Sequence, residues 1–222
     1  MTALLALTTR LALAKVALVV PAGFSDVDTL GPVIDAGADL LILDGSGDVD
    51  NDVEVLRAVR RRWGTTPLLV GTSSKRVAGP ASADVVHLAR PGWRFWGYPK
   101  GHEWSLLGRH AIDSTVVAAP GDDFDYLFVG PLEGSNEEIL ATAVEHQPPL
   151  VSGSVPWFAW GDFRSDDVAA CLSAGARRIA LTGDVWDRGA AARLVQETVG
   201  AVTRAWSADE RSTAYRAAAF RL

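Results

Sequence analysis

The chain alternates short apolar runs with longer mixed segments along most of its length. Eight runs rich in Val, Leu and Ile each end at a turn or polar residue: KVALVV (15–20), ADLLILD (38–44), PLLVGT (67–72), DVVHLAR (84–90), SLLGRHA (105–111), YLFVGPL (126–132), VPWFAWGD (155–162) and RRIALTGD (177–184). Continuous apolar runs are typical of strands buried on both faces of a parallel sheet. The pattern therefore predicts eight parallel strands, with room for a helix after most of them.

The segments between the runs carry helical signals. After the second run, Asn51 is positioned to cap a helix whose apolar side contains Val53, Leu56, Val59 and Trp63. These spacings predict that helices separate the strands.

The later segments contain residues that are typical of helix starts and helix ends. Ser135 and Glu138 have capping-box spacing, and Ser165 is positioned to cap the helix after the seventh run. Gly37 and Gly175, each within an Ala-Gly-Ala triplet, are expected to end helices before the next strand.

Eight strand–helix units in 222 residues favour an α/β fold, a single (β/α)8 TIM barrel, over a doubly wound sheet. The sequence has no Gly-rich dinucleotide fingerprint and no phosphate loop. We expect one domain over 1–222, with the barrel at 15–200. An aromatic loop at 91–104 replaces the helix after the fourth strand, and a C-terminal helix at 206–222 is added.

Composition and charge argue against some classes of function. The net charge of −6 argues against a broad nucleic-acid surface, which requires clustered Lys and Arg. Arg10 and Lys15 interrupt the apolar N-terminal stretch, which predicts a short helix and no membrane segment. The single Cys171 shares a helical face with apolar residues, so we expect a buried reduced thiol and a cytoplasmic protein. The 206–222 helix is expected to pack on the barrel or on a second subunit, which would make a homo-oligomer.

Five stretches together resemble thiamine phosphate synthase and its TenI relatives, in order and in spacing: DVVHLAR (84–90), LLGRHA (106–111), DYLFVGP (125–131), VPWFAWGDF (155–163) and AGARRIAL (174–181). The resemblance covers about residues 15–200 and implies the same barrel, with the ligand at its C-terminal mouth. In that family the synthase joins a pyrimidine diphosphate to a thiazole phosphate with Mg²⁺ and releases pyrophosphate. TenI relatives isomerise the thiazole.

The sequence departs from this family at its charged positions. Residues 42–46 (ILDGS) stand where the family has Gln-Leu-Arg-x-Lys, and Gly71-Thr72 stand where it has Asn-Asp. His87-Leu88 continues as ARPG in place of the glycine, glutamine and metal carboxylate, and residues 132–135 (LEGS) replace Thr-Pro-Thr-Lys. We therefore expect that the family's Mg²⁺ site is lost, and we predict no metal and no cofactor.

The phosphate-binding strand ends also differ from the family pattern. The seventh strand ends Gly161-Asp162 where the family has two glycines, and the eighth ends with Gly183-Asp184. Two carboxylates close to a phosphate dianion would repel it by several kcal/mol at the effective dielectric of a partly buried site. We expect phosphate to be excluded here.

Asp44, Asp162 and Asp184 fall at the C-terminal ends of strands that are neighbours around the barrel through the first strand. They could bind a cation or a cationic ligand, and Asp44 could act as a general base. Alternatively, they cap loops or pair with nearby arginines such as Arg164 or Arg188.

The remaining candidate site residues are two histidines, one glycine and five tryptophans. His87 matches the family's Val-His-Leu-Gly-Gln histidine, as a hydrogen-bonded core residue or a ligand contact. His110 falls at the end of the fifth strand, where the family has a ligand-contacting serine, and is the better acid–base candidate. Gly130, before Pro131, forms a tight turn or contacts a ligand. The mouth tryptophans could stack on a small heteroaromatic ligand or fill the space themselves: Trp93, Trp96, Trp104, Trp160 and Trp186.

Three functional hypotheses remain open. The first is a divergent relative, linked to thiamine biosynthesis by descent, that binds or converts an uncharged or cationic small ligand at the mouth. The second is a non-catalytic relative that acts as a partner or scaffold protein. The third is an active synthase with relocated residues.

Overall fold

The computed structural model describes residues 6–24, 26–64, 69–89, 98, 100–132, 137–183, 186 and 191–221. Eight parallel strands close into a barrel in sequence order, with β1 pairing to both β2 and β8, which confirms the predicted (β/α)8 fold. The elements are α1 (Leu7–Leu13), β1 (Val16–Val20), α2 (Val27–Asp35), β2 (Leu40–Leu43), α3 (Val49–Trp63), β3 (Leu69–Thr72), α4 (Lys75–Ala78), β4 (Val85–Leu88), β5 (Leu106–Ala111), α5 (Ser114–Ala118), β6 (Tyr126–Val129), α6 (Glu137–His146), β7 (Trp157–Gly161), α7 (Ser165–Ser173), β8 (Ile179–Leu181), α8 (Ala191–Ala208) and α9 (Ser212–Ala219).

The strands are buried on both faces. One set of side chains fills the barrel interior, and the alternate set packs beneath the surrounding helices. The interior set consists of Ala17, Val19, Leu40, Ile42, Leu69, Val85, Leu106, Tyr126, Phe128, Phe158 and Ala180, with Leu11 and Ala14 below β1. This double burial explains why the strands appear in the sequence as continuous apolar runs.

Two predicted caps are wrong. Asp48, not Asn51, caps α3: its carboxylate accepts a hydrogen bond from the Asn51 N–H at 3.1 Å, and Asn51 lies in the first turn. Ser165 is the first residue of α7, after the N-cap Arg164, and its hydroxyl donates to Glu197 at 2.7 Å. In both cases the residue with extended backbone before the helix takes the cap position.

The predicted helix ends are confirmed. Gly37 follows α2 with φ of 109° and Gly175 follows α7 with φ of 106°, a conformation that glycine adopts without strain. The capping-box residue Ser135 lies outside the described residues.

The connection between β4 and β5 contains no helix in its described residues, 89, 98 and 100–105. Tyr98 packs against Phe124 with ring centroids 5.2 Å apart, and Trp104 is 73% exposed. Trp104 therefore does not fill the mouth. Trp93 and Trp96 lie outside the described residues.

The C-terminal helix is shorter than predicted, because Trp206 belongs to α8 and α9 covers only Ser212–Ala219. It packs on α1 at the N-terminal end of the barrel, where the Thr9 hydroxyl donates to the Ala219 carbonyl at 3.0 Å. The segment thus packs on helices of its own chain, and its packing on a second subunit stays a prediction.

A buried arginine ties this end of the barrel together. The Arg178 guanidinium is 2% exposed and donates to the carbonyls of Ala14 and Ala12 and to the Tyr215 hydroxyl, at 2.9–3.0 Å. The residue before β8 thus connects the segment before β1 to α9. Among the described helices, none is both long and apolar enough to cross a membrane.

Candidate ligand site at the barrel mouth

The C-terminal ends of β4 to β7 bring four rings together, which we call the mouth ring cluster: His87, His110, Phe128 and Trp160. The ring centroids lie 4.6 Å apart for His87 and His110, 4.1 Å for His110 and Trp160, and 4.3 Å for His87 and Phe128. Contacts between β4 and β6 place these rings inside the barrel. The structure thus brings together three residues that the sequence predicts individually, His87, His110 and Trp160.

A glycine makes room for the ring beneath the cluster. Gly108 on β5 pairs in register with Tyr126 on β6, and a Cβ at Gly108 would lie 2.0 Å from Tyr126 Cζ. The absence of a side chain lets the Tyr126 ring cross the barrel interior. Its hydroxyl reaches His87 Nδ1 at 2.9 Å.

The sequence pattern alone does not distinguish Gly108, Tyr126 or Phe128 as site residues. Period-two alternation in β6 could have placed Tyr126 and Phe128 on one face. Only the register with β5 shows that Tyr126 lies opposite a glycine.

Burial keeps both imidazoles neutral. Desolvation, with a smaller contribution from the adjacent His110, holds the pKa of His87 well below its usual value. Desolvation lowers the pKa of His110 to about 4. Desolvation also raises the pKa of Tyr126 well above its usual value, so its hydroxyl keeps its proton. At neutral pH the site therefore presents uncharged rings.

Two buried nitrogens of the cluster have no hydrogen-bond partner among the described residues: His87 Nε2 and Trp160 Nε1. By contrast, Trp157 Nε1 donates to the Gln147 carbonyl at 2.7 Å and Trp186 Nε1 to the Val19 carbonyl at 2.8 Å. Buried polar groups are nearly always paired, so unpaired ones call for an explanation. His110 and Trp160 are partly exposed, which makes the cluster accessible from the mouth.

Trp186 is engaged elsewhere. Its ring lies 5.5 Å from Phe24, in addition to the bond to Val19. Of the predicted mouth tryptophans within the described residues, Trp160 is the one that contacts the histidines.

Asp44 lies at the end of β2, away from the β4–β7 strands that carry the rings. Burial raises the pKa of its carboxyl group, and a hydrogen bond with Ser73 partly opposes this shift. Ser73 Oγ also accepts the Gly45 N–H at 3.1 Å. The structure does not bring Asp44 into the mouth ring cluster.

The β7 and β8 ends lie side by side at the mouth. Gly161 is buried, and its carbonyl accepts the Thr182 N–H at 3.2 Å. Gly183 has φ of 72°, and a Cβ there would lie 2.9 Å from Asp162 Cγ. The Asp162 side chain therefore lies against Gly183, whereas Asp184 lies outside the described residues.

Gly130 has a structural role at the neighbouring strand end. Its φ is 142°, its N–H donates to the Ala111 carbonyl at 3.1 Å, and a Cβ there would lie 2.4 Å from the Trp160 carbonyl oxygen. The Trp160 carbonyl also accepts the Leu132 N–H at 2.9 Å. Gly130 thus lets the loop after β6 pack closely against the backbone that carries Trp160.

The described ranges contain no group of three or more His, Cys, Asp or Glu side chains that could hold a metal ion. Asp44, Asp162 and the two cluster histidines do not form such a group. Asp184 lies outside these ranges.

Comparisons with known proteins agree with the barrel fold and indicate the family of the chain. No family model matches the chain. The thiamine-phosphate synthases of Mycobacterium sp. strains KMS and JLS are each 30% identical to it over 160 residues, which cover 66% of this chain and 68% of the relative.

Solved structures extend the likeness to most of the chain. The thiamine phosphate pyrophosphorylase of Pyrococcus furiosus superposes with a TM-score of 0.71 at 17% identity, over 90% of this chain and 98% of that one. The enzyme of the same name from Bacteroides thetaiotaomicron gives 0.65 at 14% identity, over 86% and 98%. At these identities the structural likeness shows the fold.

Proposed function

Because this chain belongs to the thiamine-phosphate synthase family, we propose that it is a divergent member whose barrel mouth binds a neutral heteroaromatic ligand. The synthase resemblance implies two phosphorylated ligands, a pyrimidine diphosphate and a thiazole phosphate. The ligand proposed here is instead an uncharged ring. It is carried by one observation: at the mouth the neutral His110 ring packs against the Trp160 ring with centroids 4.1 Å apart and against the neutral His87 ring at 4.6 Å.

The shape and chemistry of the mouth ring cluster suit a flat ring. His110 and Trp160 are partly exposed aromatic side chains, and heteroaromatic rings stack against such side chains in offset or tilted geometry. Because both imidazoles are neutral at pH 7, they offer no positive charge to a phosphate.

The carboxylates at the mouth support the exclusion of anions. Asp162 lies against Gly183, where the resemblance implies that backbone N–H groups approach a phosphate. Asp44 stands where the family has a basic residue, so this position offers no positive charge to an anion. A diphosphate would meet these groups without the Arg, Lys and metal ligands that stabilise leaving-group charge.

We assign His110 as the acid–base residue for any conversion of the ligand. It is the partly exposed imidazole of the cluster and lies against Trp160, where a stacked ligand would be within reach. Its pKa of about 4 makes it a weak base in the free protein. Asp44 remains a second candidate.

Isothermal titration calorimetry with 4-methyl-5-(2-hydroxyethyl)thiazole tests this proposal. We expect this neutral thiazole to bind and its phosphate ester to bind much more weakly, with or without Mg²⁺. Trp160→Leu should weaken thiazole binding about tenfold by removing a stacking face. Trp104→Leu is the matched control, because Trp104 is 73% exposed, and it should change nothing.

Two results would contradict the proposal. One is tighter binding of the phosphate ester than of the alcohol. The other is turnover of the pyrimidine diphosphate and thiazole phosphate to thiamine phosphate, which would show an active synthase with relocated residues.

A further inference from the structure

The hydrogen bond between Tyr126 and His87 determines which His87 nitrogen carries the proton. The Tyr126 ring is fully buried, and its hydroxyl has His87 Nδ1 as its hydrogen-bond partner among the described residues, at 2.9 Å. His87 is 3% exposed, and its Nε2 has no partner there. The buried pair therefore leaves one polar atom, His87 Nε2, without a hydrogen-bond partner among the described residues.

The neutral imidazole has two tautomers, and they differ in how many groups they leave unpaired. If Nδ1–H donated to the Tyr126 oxygen, both the Tyr126 O–H and the Nε2 lone pair would lack partners. If Tyr126 O–H donates to Nδ1, only Nε2–H lacks one. The second arrangement satisfies one more buried group and is therefore favoured.

The position of Tyr126 also sets the direction of the unpaired N–H. Tyr126 precedes Phe128 on β6, so it lies one interior layer farther from the mouth. Because the exocyclic directions of the two ring nitrogens diverge widely in the imidazole plane, the bond between Nδ1 and Tyr126 leaves Nε2 pointing away from the Tyr126 hydroxyl. His110 and Phe128 pack against the same ring at 4.6 and 4.3 Å.

We propose that Tyr126 holds His87 as the Nε2–H tautomer, so that the mouth selects ligands bearing a hydrogen-bond acceptor, such as a ring nitrogen or carbonyl oxygen. This rests on the proposed function and specifies its ligand class. Trp160 Nε1–H, the second unpaired buried donor of the cluster, adds to the same preference. Tyr126 is a positioning residue, since it acts through His87.

Nitrogen NMR of the imidazoles tests the tautomer without any ligand. Long-range ¹H–¹⁵N spectra of the full chain at pH 7 should show His87 with Nε2 protonated and Nδ1 unprotonated. Tyr126→Phe should shift this toward a mixture of tautomers while the fold, checked by circular dichroism, remains. A protonated Nδ1 in the wild-type chain would overturn the proposal.

Two isosteric probes test the selectivity. The probes are 4-methyl-5-(2-hydroxyethyl)thiazole and the thiophene of the same substitution, which lacks the ring nitrogen. We expect the thiazole to bind about tenfold more tightly, because the thiophene leaves the donor unpaired. Tyr126→Phe should reduce this preference without abolishing binding.

Substitutions at His87 locate the donor. His87→Gln places an amide N–H near the Nε2 position and should keep part of the preference. His87→Asn places its amide near Nδ1 and should lose it.

The outcomes separate this inference from the proposed function. Equal binding of thiazole and thiophene, with Trp160→Leu weakening both, would refute the acceptor selectivity and leave the proposed function standing. Binding of neither probe would refute the proposed function itself, and the selectivity would fall with it.

Discussion

Gly108→Ala tests whether the barrel interior is built around the Tyr126 ring. The new Cβ would lie 2.0, 2.3 and 2.5 Å from Tyr126 Cζ, Cε1 and Oη, distances at which the ring must move. Phe128 and Phe158 pack edge-on against that ring with centroids at 5.4 and 6.0 Å, so it cannot move toward either of them without a further clash.

The magnitude follows from two contributions. Overpacking a buried site costs about 1–3 kcal/mol, and losing the Tyr126–His87 hydrogen bond costs about 1–3 kcal/mol because the groups stay buried. We expect a loss of about 2–6 kcal/mol in the free energy of unfolding, a large share of the roughly 5–15 kcal/mol typical of a domain.

Guanidinium denaturation followed by circular dichroism measures this loss. The matched control is Gly200→Ala in α8, where the nearest atom is the flexible end of Arg204 at 3.4 Å. That substitution should stabilise the protein by about 0.5–1 kcal/mol through helix propensity. The two glycine-to-alanine changes should therefore have opposite signs.

A double mutant identifies the cause. In a Tyr126→Leu background the clashing atoms are gone, so Gly108→Ala should cost less than about 1 kcal/mol. An equal loss in both backgrounds, or a neutral Gly108→Ala in the wild-type chain, would refute the steric explanation.

Three further predictions concern other buried groups. Burial lowers the pKa of His110 to about 4 from an unfolded value near 6.5, so unfolding takes up a proton between these values. The contribution of His110 to the free energy of unfolding should be fully present above pH 6.5 and should be lost as the pH falls toward 4. His110→Gln should flatten this pH dependence of the free energy of unfolding, measured by urea titration. An unchanged pH dependence would contradict the assignment. Arg178→Met should cost about 3 kcal/mol or more in thermal unfolding, because the Ala12 and Ala14 carbonyls and the Tyr215 hydroxyl lose their donor; a neutral result would show that these groups find other partners. Burial raises the pKa of the Cys171 thiol to about 11, so a thiol reagent at pH 8 should label it only after denaturation, and rapid labelling of the native protein would argue against this burial.

The strands were predictable because each must be apolar on both faces. The sequence predicted a strand over 155–162, and the structure has β7 at Trp157–Gly161. Such a run depends on local composition alone. The caps were less predictable, because Asp48 and Asn51 are both good capping residues and the backbone conformation decides between them.

The site was only partly predictable from the sequence. His87, His110 and Trp160 were each selected, but their contact depends on the relative register of β4 to β7, which no single segment encodes. The Tyr126–His87 bond joins residues 39 positions apart and requires a glycine on the strand between them. Such a requirement becomes visible only when the strands are placed side by side.

The contact between α1 and α9 constrains the order in which the chain can assemble. The Thr9 hydroxyl and the Ala219 carbonyl are separated by 210 positions, so their hydrogen bond cannot form until all the residues between them have left the ribosome. Until then the apolar surface of α1 and the Arg178 guanidinium lack their final partner. We therefore expect nascent chains that end before α9 to depend on chaperones, and completion of α9 to release them.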